Sequence, residues 1–119
     1  MLFRSVYEYS GGPRRRSLVL RRPAAAAGGR PRHYHVDLFL ALESERPYAL
    51  YHLTGPRSYN IRIRAYVKRA HGWRLNQYGV FYDDGADPPR RVRGSARIRT
   101  EADLAKFLGV TYYPPAARR

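Results

Sequence analysis

YHLTGPRSYNIRIRAYVKRAHGWRLNQYGVF, residues 51–81, is the stretch on which the fold turns. Thr54-Gly55-Pro56 breaks the chain. Beyond it Tyr59, Ile63, Tyr66, Val67 and Ala70 recur at spacings of three and four, which puts them on one buried stripe of a helix. Asn60, Arg64 and Lys68, each four apart, share another face of that helix. Gly72 supplies the stop. Trp73 to Tyr82 then reads as one or two strands, with Trp73 and Tyr78 taken as core that packs beneath the helix rather than as stacking platforms.

Toward the C-terminus, Asp83 to Pro89 is a turn and Arg90 to Arg99 is basic and partly extended. Thr100-Glu101-Ala102-Asp103 has the spacing of a capping box, in which a threonine oxygen and an acid three residues on satisfy each other's backbone amides. It opens a short helix whose apolar side is Leu104, Phe107 and Leu108 and whose stop is Gly109. The tail TYYPPAARR is irregular. Toward the N-terminus, Arg46 to Tyr51 is a short apolar segment. Arg32 to Leu42 alternates, with Tyr34, Val36, Leu38, Leu40 and Leu42 on one face and His33, His35, Asp37, Phe39 and Ala41 on the other, the pattern of a strand. Ser17 to Arg22 holds the β-prone run Leu18-Val19-Leu20, Pro23 ends it, and residues 23–31 form a flexible small-residue loop. Leu2 to Tyr9 is an edge element followed by a Gly-Gly-Pro turn.

Composition sets the class of partner. A chain of 119 residues, 44% of them hydrophobic, fills one small unit with a modest core. Lys and Arg number 23 against 9 Asp and Glu, a formal net charge of +14, and every cation but Lys68 and Lys106 is arginine. The planar guanidinium fork suits phosphates and base edges, so the expected partner is a polyanion bound with strong salt dependence. Ribosomal and phage structural proteins share such a charge, which names the partner and no mechanism. With no cysteine, disulfide frameworks and thiolate zinc sites are excluded. No apolar run approaches the roughly 20 residues of a membrane span. The start is too short in apolar residues for a secretory signal, so the chain reads as soluble and intracellular, without a membrane partner.

Three segments, in this order and spacing, resemble the end of a family X DNA polymerase, the group that contains the beta and lambda repair polymerases and terminal transferase. HYHVDLFLAL, residues 33–42, is similar to the palm strand that carries the third catalytic carboxylate. Residues 51–81 are similar to the family's aromatic-aromatic-Thr-Gly-Ser turn, its Asn and Arg helix and its Leu-Asn-Glu-Tyr-Gly segment. RTEADLAKFLGVTYYPPAARR, residues 99–119, resembles the closing helix and the Pro-rich end. The resemblance implies an α+β fold: a small antiparallel sheet remnant of the palm over residues 1–45, followed by a mixed α/β thumb over residues 46–119. It implies DNA and a deoxynucleoside triphosphate as partners. It makes Asp37 the catalytic carboxylate that binds a metal, Mg2+, and puts His52, Leu53, Gly55, Asn60, Arg64, Gln77 and Tyr78 at the nucleotide and DNA. Asn60 would reach the minor-groove edge of the incoming nucleotide and Arg64 that of the template base, contacts that sense pair geometry more than sequence.

The departures carry weight too. Gln77 stands where the family has an acid, and His52-Leu53 where it has an aromatic pair. The bend after Gly55 is a cis peptide in the family; here Pro56 allows either that bend or a trans turn with proline opening the helix. Only 36 residues precede Asp37, and Glu8 is their one acid, so the Gly-Ser phosphate motif and the Asp-x-Asp pair of the family are absent. One carboxylate of three cannot hold two magnesium ions, and the chain alone is expected to be inactive unless a second polypeptide supplies the N-terminal palm. Two readings of Asp37 stand side by side, a metal ligand and an edge-strand acid paired to an arginine. His33, His35 and Asp37 also have the alternation of a transition-metal site, although solvated histidines are the ordinary case. Arg90, Arg91, Arg93, Arg97 and Arg99 fit a backbone-tracking groove or a solvated basic strand. The rival function is a non-catalytic basic DNA-binding module derived from the thumb.

Overall fold

The computed structural model describes residues 5–24 and 28–119, with the side chains of residues 5–10 left aside. The chain forms two compact units, residues 1–40 and 41–119. The start of the Leu2 to Tyr9 element and residues 25–27 of the 23–31 loop lie outside the described residues.

The first unit is a three-stranded antiparallel sheet in the order β1 (Ser5–Gly11), β2 (Arg15–Arg22), β3 (Arg32–Phe39). The run Leu18-Val19-Leu20 is the half-buried middle of the central strand. The β1–β2 connection is a tight turn closed by the Gly12 amide donating to the Arg15 carbonyl at 2.8 Å. The alternating strand ends at Phe39, short of the expected Leu42. The cause is register: Phe39 faces Arg15, the first residue of β2, so no partner strand remains for the next residues. Leu40 donates once more, to the Arg14 carbonyl, and both Leu40 and Leu42 are exposed.

The second unit is built around helices α1 (Arg46–Thr54), α2 (Arg57–His71) and α3 (Glu101–Leu108), with a two-stranded antiparallel hairpin of β4 (Trp73–Asn76) and β5 (Gly79–Tyr82). Two small antiparallel sheets with three helices make the mixed α/β fold expected. Arg46 to Tyr51 belongs to a helix, α1, rather than being a mere apolar stretch. Pro47 opens it, where its missing N–H costs nothing, and Tyr48 and Tyr51 bury the same face. On α2, Tyr59 and Val67 are buried and Ile63 and Tyr66 half-buried, as their spacing predicts, whereas Ala70 in the last turn is exposed. Gly72, at φ 70°, ends the helix with its amide on the Lys68 carbonyl at 2.9 Å.

The β4–β5 turn is organised by Asn76, whose Oδ1 accepts from the amides of Tyr78 at 2.9 Å and Gly79 at 3.1 Å. That two-residue turn points Tyr78 outward, 40% exposed, so it is not core. Trp73 is half-buried and stacked between His71 and Phe107, at centroid distances of 4.2 and 5.2 Å. Arg90 to Val92 alone continue the hairpin, through the Tyr82 amide to the Arg90 carbonyl and the Val92 amide to the Val80 carbonyl; the chain then turns at Ser95–Arg97. The capping box forms: Asp103 donates its amide to Thr100 Oγ1 at 3.0 Å and its Oδ2 accepts from the Thr100 amide at 3.2 Å. Leu104 and Leu108 join Tyr48, Tyr51, Tyr59, Val67, Leu75, Val80, Val92 and Ile98 in one core. No helix among the described residues is long and apolar enough to cross a membrane.

Candidate nucleic-acid interface

The break at Thr54-Gly55-Pro56 is sharp: the Gly55-Pro56 peptide is cis and Gly55 has φ 50°. α1 therefore ends and α2 begins on either side of an open groove of about 640 Å3, lined by residues 52–57 together with Asn60, Ile61 and Arg64. Five of the residues singled out in the sequence meet here: His52, Leu53, Gly55, Asn60 and Arg64. Leu53 and Ile61, 51% and 56% exposed, give the groove apolar flanks, and Arg57 adds a cation.

Its polar floor is a small network. Asn60 Nδ2 donates to the His52 carbonyl at 2.8 Å. Arg64 Nη2 lies 2.5 Å from His52 Nδ1, and since a guanidinium only donates, Nδ1 accepts and the ring proton sits on Nε2. Burial first, and the Arg64 charge second, hold the His52 pKa below its ordinary value. Asn60 Oδ1 is buried with no hydrogen-bond partner among the described residues. Arg64 has five N–H donors and commits one to His52, which leaves donors for a ligand at the groove. Lys68, on the same helix face, pairs instead with Asp83 at 3.5 Å.

Behind the floor lies a layer absent from the sequence reading. The Tyr51 and Tyr59 hydroxyls are 2.9 Å apart, and burial pushes the Tyr51 pKa up. The Arg118 guanidinium stacks over the Tyr51 ring at 4.6 Å. Nothing in the irregular-looking tail distinguishes Arg118 from the other arginines; the Pro114-Pro115 pair that turns the chain back was the only signal.

The remaining candidates lie elsewhere. Gln77 and Tyr78 form the β4–β5 turn and do not line the groove. Arg90 pairs with Asp84, and Arg91 lies 5.0 Å over the Phe81 ring and donates to the Tyr78 carbonyl at 3.1 Å, so both are engaged within the protein. Arg93, Arg97 and Arg99 are exposed. Asp37 belongs to the first unit. Ser17, opposite it in register, donates Oγ to its carboxylate at 2.6 Å, and Arg15 lies 3.4 Å away. The Ser17 hydrogen bond, with the Arg15 charge behind it, holds the Asp37 pKa below its ordinary value.

Among the described residues no three His, Cys, Asp or Glu side chains come together to hold a metal, so His33, His35 and Asp37 do not make one. For Mg2+ the donor set does not fit: Asp37 offers a single carboxylate, already shared with a serine and an arginine.

The turn between two helices, the Asn and Arg one helical turn apart on a common groove, and the hairpin after the helix lie in the segment that resembles the thumb of a family X DNA polymerase. Residues 49–119 match the family described as DNA polymerase beta thumb, and the chain belongs to that family. Repair DNA polymerase X of African swine fever virus (isolate Pig/Kenya/KEN-50/1950) is 47% identical over 85 residues, which cover 71% of this chain and 44% of the viral protein. DNA-directed DNA/RNA polymerase mu of Homo sapiens is 32% identical over 102 residues, covering 81% of this chain and 19% of that protein. The Leishmania infantum polymerase beta in a ternary P/T complex shares the fold, with a TM-score of 0.75 at 23% identity over 99% of this chain and 48% of that one. The chain thus spans less than half the length of these relatives.

Proposed function

We propose that the chain is the C-terminal palm and thumb portion of a family X DNA polymerase, divided near residue 45. It grips DNA and an incoming deoxynucleoside triphosphate in gap-filling repair or viral replication. The observation that carries the reading is the groove in which Asn60 and Arg64 meet beside the turn, Asn60 on the His52 carbonyl and Arg64 on the His52 ring. The groove binds and orients: Leu53 and Ile61 offer apolar surface to a sugar or base, and the spare donors of Arg64 offer hydrogen bonds to acceptor edges in a minor groove. Polymerisation itself needs paired divalent ions, which this chain's donors alone do not fit; a second polypeptide carrying the N-terminal palm would have to bring the other carboxylates, and Asp37 would have to leave Ser17 and Arg15 to join them.

The net charge of +14, with Arg93, Arg97 and Arg99 exposed, favours a second reading, a non-catalytic basic module that uses the thumb surface to hold DNA. The two part over nucleotide. Binding to a one-nucleotide-gapped duplex is compared with intact duplex, with and without magnesium and the matching nucleotide, for wild type, Asn60→Ala and Arg64→Ala. A gap preference that nucleotide strengthens and both substitutions abolish supports the polymerase thumb. Equal, purely salt-dependent binding to both duplexes in all three proteins leaves the basic module.

A further inference from the structure

We infer that Arg118 is a positioning residue for the His52–Arg64 groove, acting from behind it through Thr54 and Tyr51; the inference rests on the groove reading proposed above. Arg118 is the one cation buried among the described residues, at 4% exposure. A buried guanidinium is tolerated when its charge is paired and its donors are used. Here Nε donates to the Tyr113 carbonyl at 2.9 Å, Nη2 to Glu101 Oε1 at 3.1 Å and Nη1 to Thr54 Oγ1 at 3.1 Å.

The Glu101 contact alone would balance the charge. Two further contacts, with Thr54 Oγ1 and over the Tyr51 ring, are directed at the groove. Thr54 lines it and directly follows His52-Leu53, while Tyr51, under the guanidinium, directly precedes them. The Tyr51 hydroxyl meets the Tyr59 hydroxyl, and Tyr59 directly precedes Asn60. One side chain from the tail therefore holds the residues on both sides of His52-Leu53 and, through the tyrosine pair, the residue before Asn60. Thr54 also donates to the Leu50 carbonyl, so Arg118 meets a hydroxyl already oriented by its own helix. The geometry that lets Asn60 reach the His52 carbonyl depends on that clamp.

The test uses Arg118→Met, Arg118→Lys and Thr54→Val in the full chain, each checked for folding by circular dichroism. Two readouts follow: the His52 ring and Asn60 side-chain amide NMR signals, and gapped-over-intact duplex preference. Arg118→Met is expected to move both sets of signals and to lower the preference about tenfold, the scale of one lost hydrogen bond from a charged donor. Arg118→Lys restores it in part, since an ammonium can meet Glu101 but not all three acceptors in a fork. Thr54→Val, which removes the groove-side bond together with the Thr54 bond to the Leu50 carbonyl but leaves Arg118 paired with Glu101 and Tyr113, is expected to move the same signals by less, and it decides the matter if Arg118→Met does not fold. As a control for mere loss of stability, Leu104→Ala in the core keeps the preference at temperatures where it is folded. Unmoved His52 and Asn60 signals in folded Arg118→Met, or in Thr54→Val, overturn the inference. If wild type has no gap preference, the groove reading fails by itself, and the NMR signals alone still decide whether Arg118 positions these residues.

Discussion

Replacing Asn60 by alanine separates what this residue does for stability from what it does for a ligand. The substitution deletes the hydrogen bond from Nδ2 to the His52 carbonyl, a net loss of about 1 kcal/mol. It also deletes Oδ1, buried without a partner, and so relieves a desolvation cost of about 1–3 kcal/mol. Alanine is moreover the better helix former within α2, by roughly 0.5 kcal/mol. The sum runs from about 0.5 to about 2.5 kcal/mol in favour of the variant. Urea unfolding followed by circular dichroism is expected to give an unchanged or higher midpoint at an unchanged slope, while nucleotide-strengthened binding to gapped duplex is lost. Asn60→Asp keeps the shape but sets an acceptor oxygen in place of Nδ2 against the His52 carbonyl, and is expected to be less stable than wild type. A destabilisation of Asn60→Ala by more than about 1 kcal/mol would refute the reasoning, because it would mean that Oδ1 is satisfied and belongs to the fold's own network.

Other substitutions probe the frame around the groove. Leu104 is fully buried at the centre of the core, so Leu104→Ala is expected to cost about 2–5 kcal/mol in thermal or urea unfolding. Thr100→Ala removes the α3 cap and is expected to cost about 1 kcal/mol by the same assay. The pKa of His52 is depressed in the folded chain, so its contact with Arg64 is present above the ordinary value of 6.5 and is lost as pH falls through the lowered one. An NMR titration of the His52 ring is expected to show this, and Arg64→Ala to move the midpoint back up; an unmoved midpoint contradicts the assigned contact.

What could be read from the chain alone follows from how local each signal is. The spacing of Tyr59, Ile63 and Val67 with Gly72 announced α2, and Thr100 with Asp103 announced α3, because helix faces and caps are written within a turn or two of sequence. α1 escaped notice since its two buried tyrosines make too little periodicity against exposed Leu50 and Leu53. The end of β3 was hidden because it is set by where β2 starts, a matter of pairing across more than twenty residues. In the groove, the shared helix face of Asn60 and Arg64 was legible from their spacing, but Lys68 shares it, and only the resemblance to the family X motif singled out the first two. The acceptor role of His52 toward Arg64, the Ser17 bond to Asp37 and the burial of Arg118 are contacts between distant residues, invisible until the chain is folded.

The most direct measurement is amide and side-chain NMR mapping of the chain titrated with a one-nucleotide-gapped duplex and matching nucleotide at two salt concentrations. A thumb that grips its substrate through the groove is expected to concentrate shifts at His52, Leu53, Gly55, Asn60 and Arg64, and to keep them at the higher salt. Shifts spread over the exposed arginines and lost together at higher salt, with the groove unmoved, would contradict it.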